Sequence, residues 1–291
     1  MQGFRISPYL QELMVVVGVN EVYASGNQLL EQLLRIPVSA SAIYRVTVAT
    51  AENVPETTLY QPVSLSSVYA EVDGSMLLTD DGWQEVKLGR VFARDAQSGR
   101  ADLSQSAYCA YLGGYQLFCE RFEKLLPASK DIVFLSDGAE WIKQWIDRSY
   151  PNALQILDYY HAVEHLAQTV QGLLLPNGWL ENQRNLLLES QLDRVVENLK
   201  ALKWLAVDKR DKLLNYYEKN RYRMDYQAYR QAGYCIGSGA IEAAHRTLIQ
   251  QRMKRSGQRW SPERAQQLIK LRVAFKSKRN HLITDTINRA A

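Results

Sequence analysis

The chain has 291 residues, of which 46% are hydrophobic and 23% are charged, a composition typical of a globular protein with one large domain or a domain with an appendage. No apolar run approaches the length of a membrane span, so no membrane partner is expected. The three cysteines contain no CxxC pair and the four histidines show no zinc spacing with them. This pattern favours reduced thiols in the cytoplasm over a disulfide framework.

Charge is distributed unevenly along the chain, whose net charge is +4. From Glu242 to the end there are 12 Lys and Arg residues against three acids, a net charge of +9, so the first 241 residues carry −5. A basic tail on a slightly acidic body predicts a polyanionic partner, and a solvated helical face is the equally good alternative.

Residues 1–55 are predicted to be a helical N-terminal segment. A Ser-Pro pair at 7–8 is a helix start signal, and the leucines of "GNQLLEQLLRI" share one face of a second helix. A third helix follows "PVSAS", with Ser39 or Ser41 as its N-cap. Two short helices joined in this way are compatible with a helix-turn-helix whose second helix reads DNA, and ordinary packing is the alternative.

Residues 66–160 are predicted to form a sheet, preceded by a linker at 54–65. "SVYAEVDGSML" and "WQEVKLGRVFARD" are strand-like and flank a hairpin turn signal, "DDGW" at 80–83. A third short strand and a helix follow, and then an apolar run, Ile132 to Leu135, that suits a strand buried on both faces. A further helix leads to a strand that ends at Asp158. This order predicts an α/β fold with a mixed sheet flanked by helices.

The remainder of the chain is predicted to be helical. Residues 161–232 form an all-helical segment. Residues 233–291 begin with a glycine loop, in which Ser238 is the expected N-cap of the next helix, and end in a basic helix that a second Ser-Pro pair starts.

Three aspartates, Asp73, Asp137 and Asp158, each follow a strand-like segment. Because sites in α/β sheets lie beyond the carboxyl ends of parallel strands, we expect these carboxylates to gather there, with Gly74 and Gly138 leaving room for a phosphate or for backbone. Gathered carboxylates must be protonated or hold a cation, and a few oxygen ligands favour Mg²⁺ or Mn²⁺. Two such ions would clamp a phosphodiester. Taken singly, each aspartate is better explained as a turn or cap residue.

"GSGAIEAAHR" adds Glu242, one turn into a helix, where capping is the alternative role. His161, three residues after Asp158, is a candidate orienting or proton-transfer group, although a structural role is as compatible with the spacing. Trp141 and Trp260 are candidate base-stacking groups, with packing the favoured alternative. The cations around Glu242 are candidate phosphate contacts, and they are Arg246, Arg252, Lys254, Arg255 and Arg259.

Four segments taken together resemble the bacterial insertion-sequence DDE transposases of the ISKra/ISLre kind, which are relatives of the Mutator-like group. The segments are "YAEVDGSM", "FLSDGAEWI", "LDYYHAVEHL" and "GSGAIEAAHRTLIQQRMKRSGQRW", and the similarity spans about residues 66–262. The resemblance implies an RNase H-like fold with a helical insertion before the last catalytic residue. It matches Asp73, Asp137 and Glu242 to the catalytic triad.

By the same resemblance, the triad would hold two Mg²⁺ or Mn²⁺ ions, and Asp158 and His161 match the family's "(C/D)xxH" signature. The implied partners are DNA, as transposon ends and target, and further copies of the chain assembled on that DNA. The implied location is the bacterial cytoplasm, at the nucleoid.

The chain departs from this family in one respect. Relatives usually carry more sequence ahead of the segment matching residue 1, often with zinc-binding cysteine pairs, so a short variant, a truncated copy and an internal start are all open. Two other functions also stay open: a remnant that binds DNA without catalysis, and a structural or regulatory protein in which Asp73, Asp137 and Glu242 lie far apart.

Overall fold

The computed structural model describes residues 6–56, 67–93, 106–127 and 131–290. Within these ranges the chain folds around a five-stranded mixed sheet with helices packed on both faces, which confirms the predicted α/β class. Residues 57–65 of the predicted linker lie outside the described residues. The strand order across the sheet is β3-β2-β1-β4-β5. The strands are β1 (Val68–Thr79), β2 (Gly82–Ala93), β3 (Ala107–Leu112), β4 (Ile132–Ser136) and β5 (Leu154–Leu157).

The first three strands are antiparallel neighbours, whereas β4 and β5 run parallel to β1. The predicted hairpin is confirmed: β1 and β2 are joined by a turn at Asp80 and Asp81, and Gly82 follows in the left-handed region at φ +96°. A glycine suits this position because side chains with a Cβ rarely adopt positive φ. The apolar run predicted as a fully buried strand is β4, all of whose residues are buried.

Side chains of β1 alternate between the two faces of the sheet. Ala70 and Val72 belong to a cluster that includes aromatic side chains of the helices on one face. Tyr69 packs on the opposite face, against the long helical segment. Asp73 is four residues beyond Tyr69 and therefore projects from that second face. The helices on the first face are α4 (Tyr115–Glu123) and α5 (Glu140–Ser149).

The N-terminal segment is helical, as predicted. Ser7 caps the first helix by accepting a hydrogen bond from the Leu10 N–H, and Ser39 caps the third. Both serines thus satisfy backbone donors that a helix start leaves unpaired. The third helix packs on the first and on a C-terminal helix, and DNA reading by this segment stays a prediction. The helices are α1 (Pro8–Asn20), α2 (Tyr23–Leu34) and α3 (Ala40–Asn53).

The helical segment after β5 is also confirmed as helical, and its apolar side chains cover the sheet face that carries Tyr69. Its helices are α6 (Tyr159–Thr169), α7 (Trp179–Leu188), α8 (Leu192–Ala201), α9 (Val207–Asn220) and α10 (Tyr226–Gln231). The C-terminal part consists of α11 (Gly239–His245), a π-helical segment (Arg246–Gln250), α12 (Gln251–Met253), α13 (Pro262–Lys276) and α14 (His281–Ala290). Ser261 caps α13, as its Ser-Pro pair predicts. Across the described ranges, no helix combines the length and the apolar character that crossing a membrane requires.

Candidate active site

Asp73 and Asp137 lie side by side because they follow the last paired positions of two neighbouring parallel strands. Val72 of β1 pairs with Ser136 of β4, and an aspartate comes next in each chain segment. Neighbouring strands are about 4.8 Å apart, so the two residues lie close together where β4 ends. Ser136 also pairs with Leu157 of β5, which brings Asp158 to the same place. The prediction that Asp73 follows its strand is wrong, because β1 continues to Thr79 and Asp73 pairs with Leu88 of β2.

Asp73 is only partly exposed, and its two oxygens have different surroundings. Oδ1 accepts a 2.7 Å hydrogen bond from the Gly74 N–H, and Oδ2 lies 3.5 Å from His245 Nε2. Burial raises the pKa of Asp73 to about 6, and the negative charges of Asp137 and Glu242 add to that rise against the opposing Gly74 hydrogen bond. Asp73 therefore interacts electrostatically with both Asp137 and Glu242.

Gly74 lines an open cleft beside Asp73, and on the opposite face of the sheet it leaves no room for a side chain. A Cβ at this position would collide with Oε1 of Glu85, so the space beside Gly74 is filled by a carboxylate of β2. The Lys87 Nζ, 2.7 Å from Glu85 Oε2, balances this extra charge on the sheet face opposite Asp73.

Asp137 is fixed by its backbone surroundings. Its Oδ1 accepts a 2.9 Å hydrogen bond from the Ala139 N–H, which closes a local turn ahead of α5, and its main-chain carbonyl accepts one of 2.7 Å from the Tyr216 hydroxyl. Gly138 has φ +89°, and a Cβ there would lie 2.7 Å from Leu157 Cδ1. Only glycine fits this turn, which explains the "DG" pair here in packing terms.

Asp158 has no exposed surface and joins two distant parts of the chain. Its Oδ1 caps α6 by accepting a hydrogen bond from the His161 N–H, while its Oδ2 accepts hydrogen bonds from both the N–H and the hydroxyl of Ser238. Ser238 occupies the N-cap position of α11, as expected, but its side chain makes no capping hydrogen bond, because its hydroxyl donates to Asp158 instead. We call this contact the Asp158–Ser238 clasp. Although burial alone would raise it, these hydrogen bonds hold the pKa of Asp158 below its usual range.

His161 is a histidine beside Asp158 whose surroundings favour its protonated form. Its Nδ1 lies 3.8 Å from Asp158 Oδ1, an ion-pair separation too long for a hydrogen bond. The Asp158 carboxylate, with smaller contributions from Asp137 and Asp73, raises the pKa of His161 to about 9 against the effect of burial. The imidazole is therefore protonated at neutral pH and partly balances the carboxylates.

Glu242 and Asp73 line the same open cleft of about 500 Å³. It is exposed in the first turn of α11, and Arg246, one turn further, also lines the cleft. A carboxylate in the first turn of a helix is favoured by the helix dipole, so the predicted capping role remains compatible with this position. The cleft nevertheless joins Glu242 to the Asp73 side of the sheet edge.

His245 is a site residue that the sequence interpretation missed. Its side chain is 3% exposed, and it lines the same cleft as Asp73 and Glu242. Burial lowers the pKa of His245 to about 4, against the opposing effect of the Asp73 main chain. Its spacing of three residues from Glu242 puts both on one helix face, and this Glu-x-x-His pattern was the available indication.

The predicted phosphate contacts differ in what they do. Arg246 and Arg259 are exposed, and Lys254 donates a 2.7 Å hydrogen bond to a β1 serine hydroxyl at the cleft. Arg255 is half-buried and forms a 3.1 Å ion pair with Glu21 of the N-terminal segment. These four cations keep at least part of their side chains at the surface, where a phosphate can reach them.

Arg252 does not fit the predicted role. It is 1% exposed, its Nε donates a 3.2 Å hydrogen bond to the Gly18 carbonyl, and its guanidinium lies 5.0 Å and 5.3 Å from the ring centroids of Tyr23 and Trp260. An arginine enclosed in this way cannot contact a phosphate, and we correct the prediction to a structural role. The same contact assigns Trp260 to packing, the favoured alternative.

Trp141, the other candidate stacking group, also packs. Its ring lies 5.7 Å from that of Tyr115 and 5.9 Å from that of Phe118, in the cluster on the sheet face away from Asp73. Aromatic pairs at such separations stabilise a core, so Trp141 belongs to the fold.

The chemistry of the three carboxylates suits a hard divalent ion, but their side chains do not lie close enough together to bind one. Asp73, Asp137 and Glu242 offer carboxylate oxygens, the ligands that Mg²⁺ and Mn²⁺ prefer. Burial, with a smaller contribution from the charges of Asp137 and Glu242, raises the pKa of Asp73, and a bound cation would favour its ionised form. In the part of the chain that the structure describes, no three His, Cys, Asp or Glu side chains lie close enough together to hold one ion. Ion binding would therefore require a change of side-chain conformation.

No protein-family model matches the chain, and no curated protein matches its sequence. The inference of function therefore depends on the residues of this cleft and on their surroundings.

Proposed function

We propose that the chain is a metal-dependent DDE transposase with an RNase H-like catalytic domain. The observation that carries the proposal is the placement of Asp73, inside β1, and Asp137, directly after β4, next to the last paired residues of these two parallel strands, with Glu242 lining the same cleft as Asp73. An antiparallel hairpin followed by parallel strands, and the helices between Asp137 and Glu242, support the finer fold assignment.

In this proposal Asp73, Asp137 and Glu242 would hold two Mg²⁺ or Mn²⁺ ions. Such ions, when bound, activate a water or a 3′-hydroxyl and stabilise the leaving oxygen of a phosphodiester. The reactions are cleavage at the transposon end and attack of the freed 3′-hydroxyl on target DNA. The protein works on DNA as an oligomer of identical chains, in the cytoplasm of a bacterium at the nucleoid.

The chain's own residues would bind and orient the DNA at this cleft. Arg246 and Lys254 lie at its rim, where they would neutralise phosphates on either side of the scissile bond. The protonated His161 limits repulsion between the carboxylates and an incoming phosphate. The Asp158–Ser238 clasp holds the loop from which α11 and Glu242 begin.

The test uses the full chain, Mn²⁺ and a supercoiled plasmid that carries the genomic DNA flanking the gene on both sides. We expect nicking and strand transfer by the wild-type protein, and a loss of at least about 100-fold in Asp137→Asn. Asparagine can still accept the hydrogen bond from Ala139, so the turn should persist. The matched control is Asp81→Asn, which changes an exposed aspartate of the β1–β2 turn and should leave both reactions unchanged. Equal activity in Asp137→Asn would overturn the proposal.

One observation favours a second candidate, a DNA-binding remnant without catalysis. Within the described ranges, the three carboxylates do not converge as an ion would require. This candidate predicts that the wild-type protein binds the same plasmid DNA, and that it neither nicks nor joins it at any Mn²⁺ concentration.

A further inference from the structure

The helical stretch that begins with α11 continues through the π-helical segment into α12, and one of its sides is left uncovered. Its other side is buried in the core, where Ile241, Leu248 and Ile249 lie. The uncovered side consists of two rows of exposed or half-buried residues spaced four apart, which we call the exposed ridge. The first row is Glu242, Arg246, Gln250 and Lys254, and the second is Ala243, Thr247, Gln251 and Arg255.

The π-helical segment keeps these rows pointing in one direction. In a regular α-helix, residues spaced four apart rotate about the axis by about 40° per step, because 3.6 residues complete a turn. The π-helical turn at Arg246–Gln250, which hydrogen-bonds five residues apart instead of four, opposes this rotation. The ridge therefore presents both rows on the same side over a length of about 18 Å. Such segments occur frequently at functional sites.

A cleft flanks the ridge on each side. The first is the cleft that contains Asp73, and three residues of the first row line it. The second cleft has a volume of about 580 Å³ and lies between the ridge, the end of α1 and α13. The residues of the second row that line this second cleft are Thr247, Gln251 and Arg255.

The second cleft is basic. Three cations line it, Arg255, Arg272 and Lys276, against one acid, Glu21, which lies 3.1 Å from Arg255. The Arg272 guanidinium is buried and donates hydrogen bonds to main-chain carbonyls of α1 and of the π-helical segment. Lys276 is exposed, so a phosphate can reach it. The ridge thus has phosphate-binding side chains on both flanks.

A helix between two clefts that contain cations fits the major groove of a DNA duplex. An α-helix with its side chains is about 10–12 Å across, and the major groove is about 12 Å wide, with the phosphates of one strand along each border. We propose that the exposed ridge lies in the major groove of the DNA that is cleaved, and that Gln250 and Gln251 read its bases. The phosphates of one strand contact the cations of the first cleft, and those of the other strand contact Arg255 and Lys276. This inference rests on the proposed function for DNA as the partner.

Gln250 and Gln251 have the chemistry that base reading requires. Both are exposed, and in the part of the chain that the structure describes no hydrogen bond involves either side-chain amide. A glutamine amide pairs with adenine by accepting from its N6 amino group and donating to its N7, both of which face the major groove. Ala243 and Thr247, their neighbours on the ridge, are small enough to let the helix approach the base edges.

The spacing along the ridge predicts where the preferred adenine lies. In the proposed function Glu242 is at the scissile phosphate, and Gln250 follows it after two helical turns, a distance of about 12 Å. Base pairs repeat about every 3.4 Å. The adenine should therefore be about three to four base pairs from the cleaved bond.

The test selects binding sequences from a library of randomised DNA duplexes, using the full chain without Mn²⁺ so that binding is measured in the absence of cleavage. We expect the wild type to enrich a motif that contains adenine. The double variant Gln250→Ala and Gln251→Ala should lower the preference for that adenine by about 5-fold or more and leave the affinity for an unselected duplex unchanged. Gln227→Ala, which changes an exposed glutamine of α10, is the matched control and should keep the wild-type motif.

An unchanged motif in the double variant overturns base reading by the ridge, and so does a wild-type protein that binds DNA with no base preference. The second cleft is tested by Lys276→Ala, which should lower the slope of log affinity against log salt by about 1. Lys200→Ala, in α8, is its control because Lys200 is exposed and far along the chain from both clefts. Equal slopes in these two variants overturn the assignment of the second strand to this cleft.

Plasmid nicking separates this inference from the proposed function. If nicking depends on Asp137 while the motif does not depend on Gln250 and Gln251, the inference fails and the proposed function stands. If the motif depends on both glutamines and no nicking occurs, the ridge reads DNA in a protein without catalysis. If the wild type neither binds nor nicks DNA, both proposals fail.

Discussion

Asp73 is a carboxyl group whose surroundings in the folded state disfavour its ionised form. Its side chain is 16% exposed, it lies next to Asp137 where β4 ends, and it lines the same cleft as Glu242. Burial and these like charges disfavour its ionised form, and the pKa rises from its usual 3.8 to about 6. A folded state that resists ionisation of a carboxyl group loses stability, relative to the unfolded chain, as the pH rises. Residues kept under such conditions commonly serve a function.

Asp73→Asn should stabilise the protein at neutral pH in the presence of EDTA. Because the folded pKa lies above the unfolded value, the carboxyl group's contribution is fully present below about pH 4 and is lost as the pH rises through about 6. Asparagine does not titrate. The variant should therefore match the wild type near pH 4 and exceed it above pH 7 by about 1–3 kcal/mol in the free energy of unfolding. Urea denaturation at several pH values measures this difference.

The control for Asp73→Asn is Asp81→Asn, in the exposed turn, for which no pH-dependent difference is expected. Addition of Mn²⁺ should narrow the gap, since an ion that binds only the folded wild type stabilises it by mass action. A difference between Asp73→Asn and wild type that is the same at every pH would contradict the explanation.

At the scale of elements, the Asp158–Ser238 clasp determines where α11 starts. Asp158 ends β5 and caps α6, while Ser238 immediately precedes α11, 80 residues later. The Tyr159 N–H also donates a 2.8 Å hydrogen bond to the Ile236 carbonyl. The two ends of the helical segment are thus joined at the sheet edge, and Glu242 and His245 depend on this joint for their position opposite Asp73.

Ser238→Ala removes the hydroxyl from the clasp and leaves the main-chain hydrogen bond to Asp158. We expect a loss of about 1–2 kcal/mol in the free energy of unfolding, and faster amide hydrogen exchange confined to residues 236–245. Mass spectrometry of exchange, peptide by peptide, measures this effect. Ser190→Ala is the matched control, because it removes another serine hydrogen bond to an aspartate, Asp225, at a more exposed position.

Exchange that rises equally in both serine variants, or nowhere near α11, would mean that the clasp does not position this helix. Exchange that rises throughout the chain would mean that the clasp stabilises the whole fold.

At the scale of the whole molecule, the basic C-terminal part contains two kinds of arginine that a count of charges does not distinguish: buried ones that join helices and exposed ones. Arg252 and Arg272 are buried and donate hydrogen bonds to the carbonyls of Gly18 and Val19 in α1. They join the first helix of the chain to its last helices. Arg259, by contrast, is exposed. Only the second kind of cation can add to the electrostatic attraction of DNA.

The same contrast shows how far the sequence can predict this molecule. Elements follow from local patterns: the apolar run of β4 and the Ser-Pro starts at Ser7 and Ser261 were predicted because their causes lie within a few residues. Contacts between distant segments were not predictable. Ser238 fits every local pattern for an N-cap side chain, yet its hydroxyl donates a hydrogen bond to Asp158 instead. Arg252 has the composition of a surface cation, and only the fold buries it.

Two substitutions in this basic part should affect different properties, one the stability of the fold and the other the binding of DNA. Arg252→Ala should lower the free energy of unfolding by about 2–4 kcal/mol, because it removes packing against Tyr23 and Trp260 and a hydrogen bond to α1. Arg259→Ala should leave stability within about 0.5 kcal/mol. It should instead weaken binding to a fluorescently labelled DNA duplex and lower the slope of log affinity against log salt by about 1.

Urea denaturation and fluorescence anisotropy over a salt series measure both properties on each variant, with Arg194→Ala of α8 as the control for an exposed arginine outside the basic part. Because screening acts on exposed charges, a true phosphate contact must change the salt slope as well as the affinity. If Arg259→Ala and Arg194→Ala give the same slope as wild type, the DNA-facing surface lies elsewhere. If Arg252→Ala changes the slope without loss of stability, its guanidinium must become exposed when DNA binds, and the contact between α1 and the C-terminal helices would then be one that DNA opens.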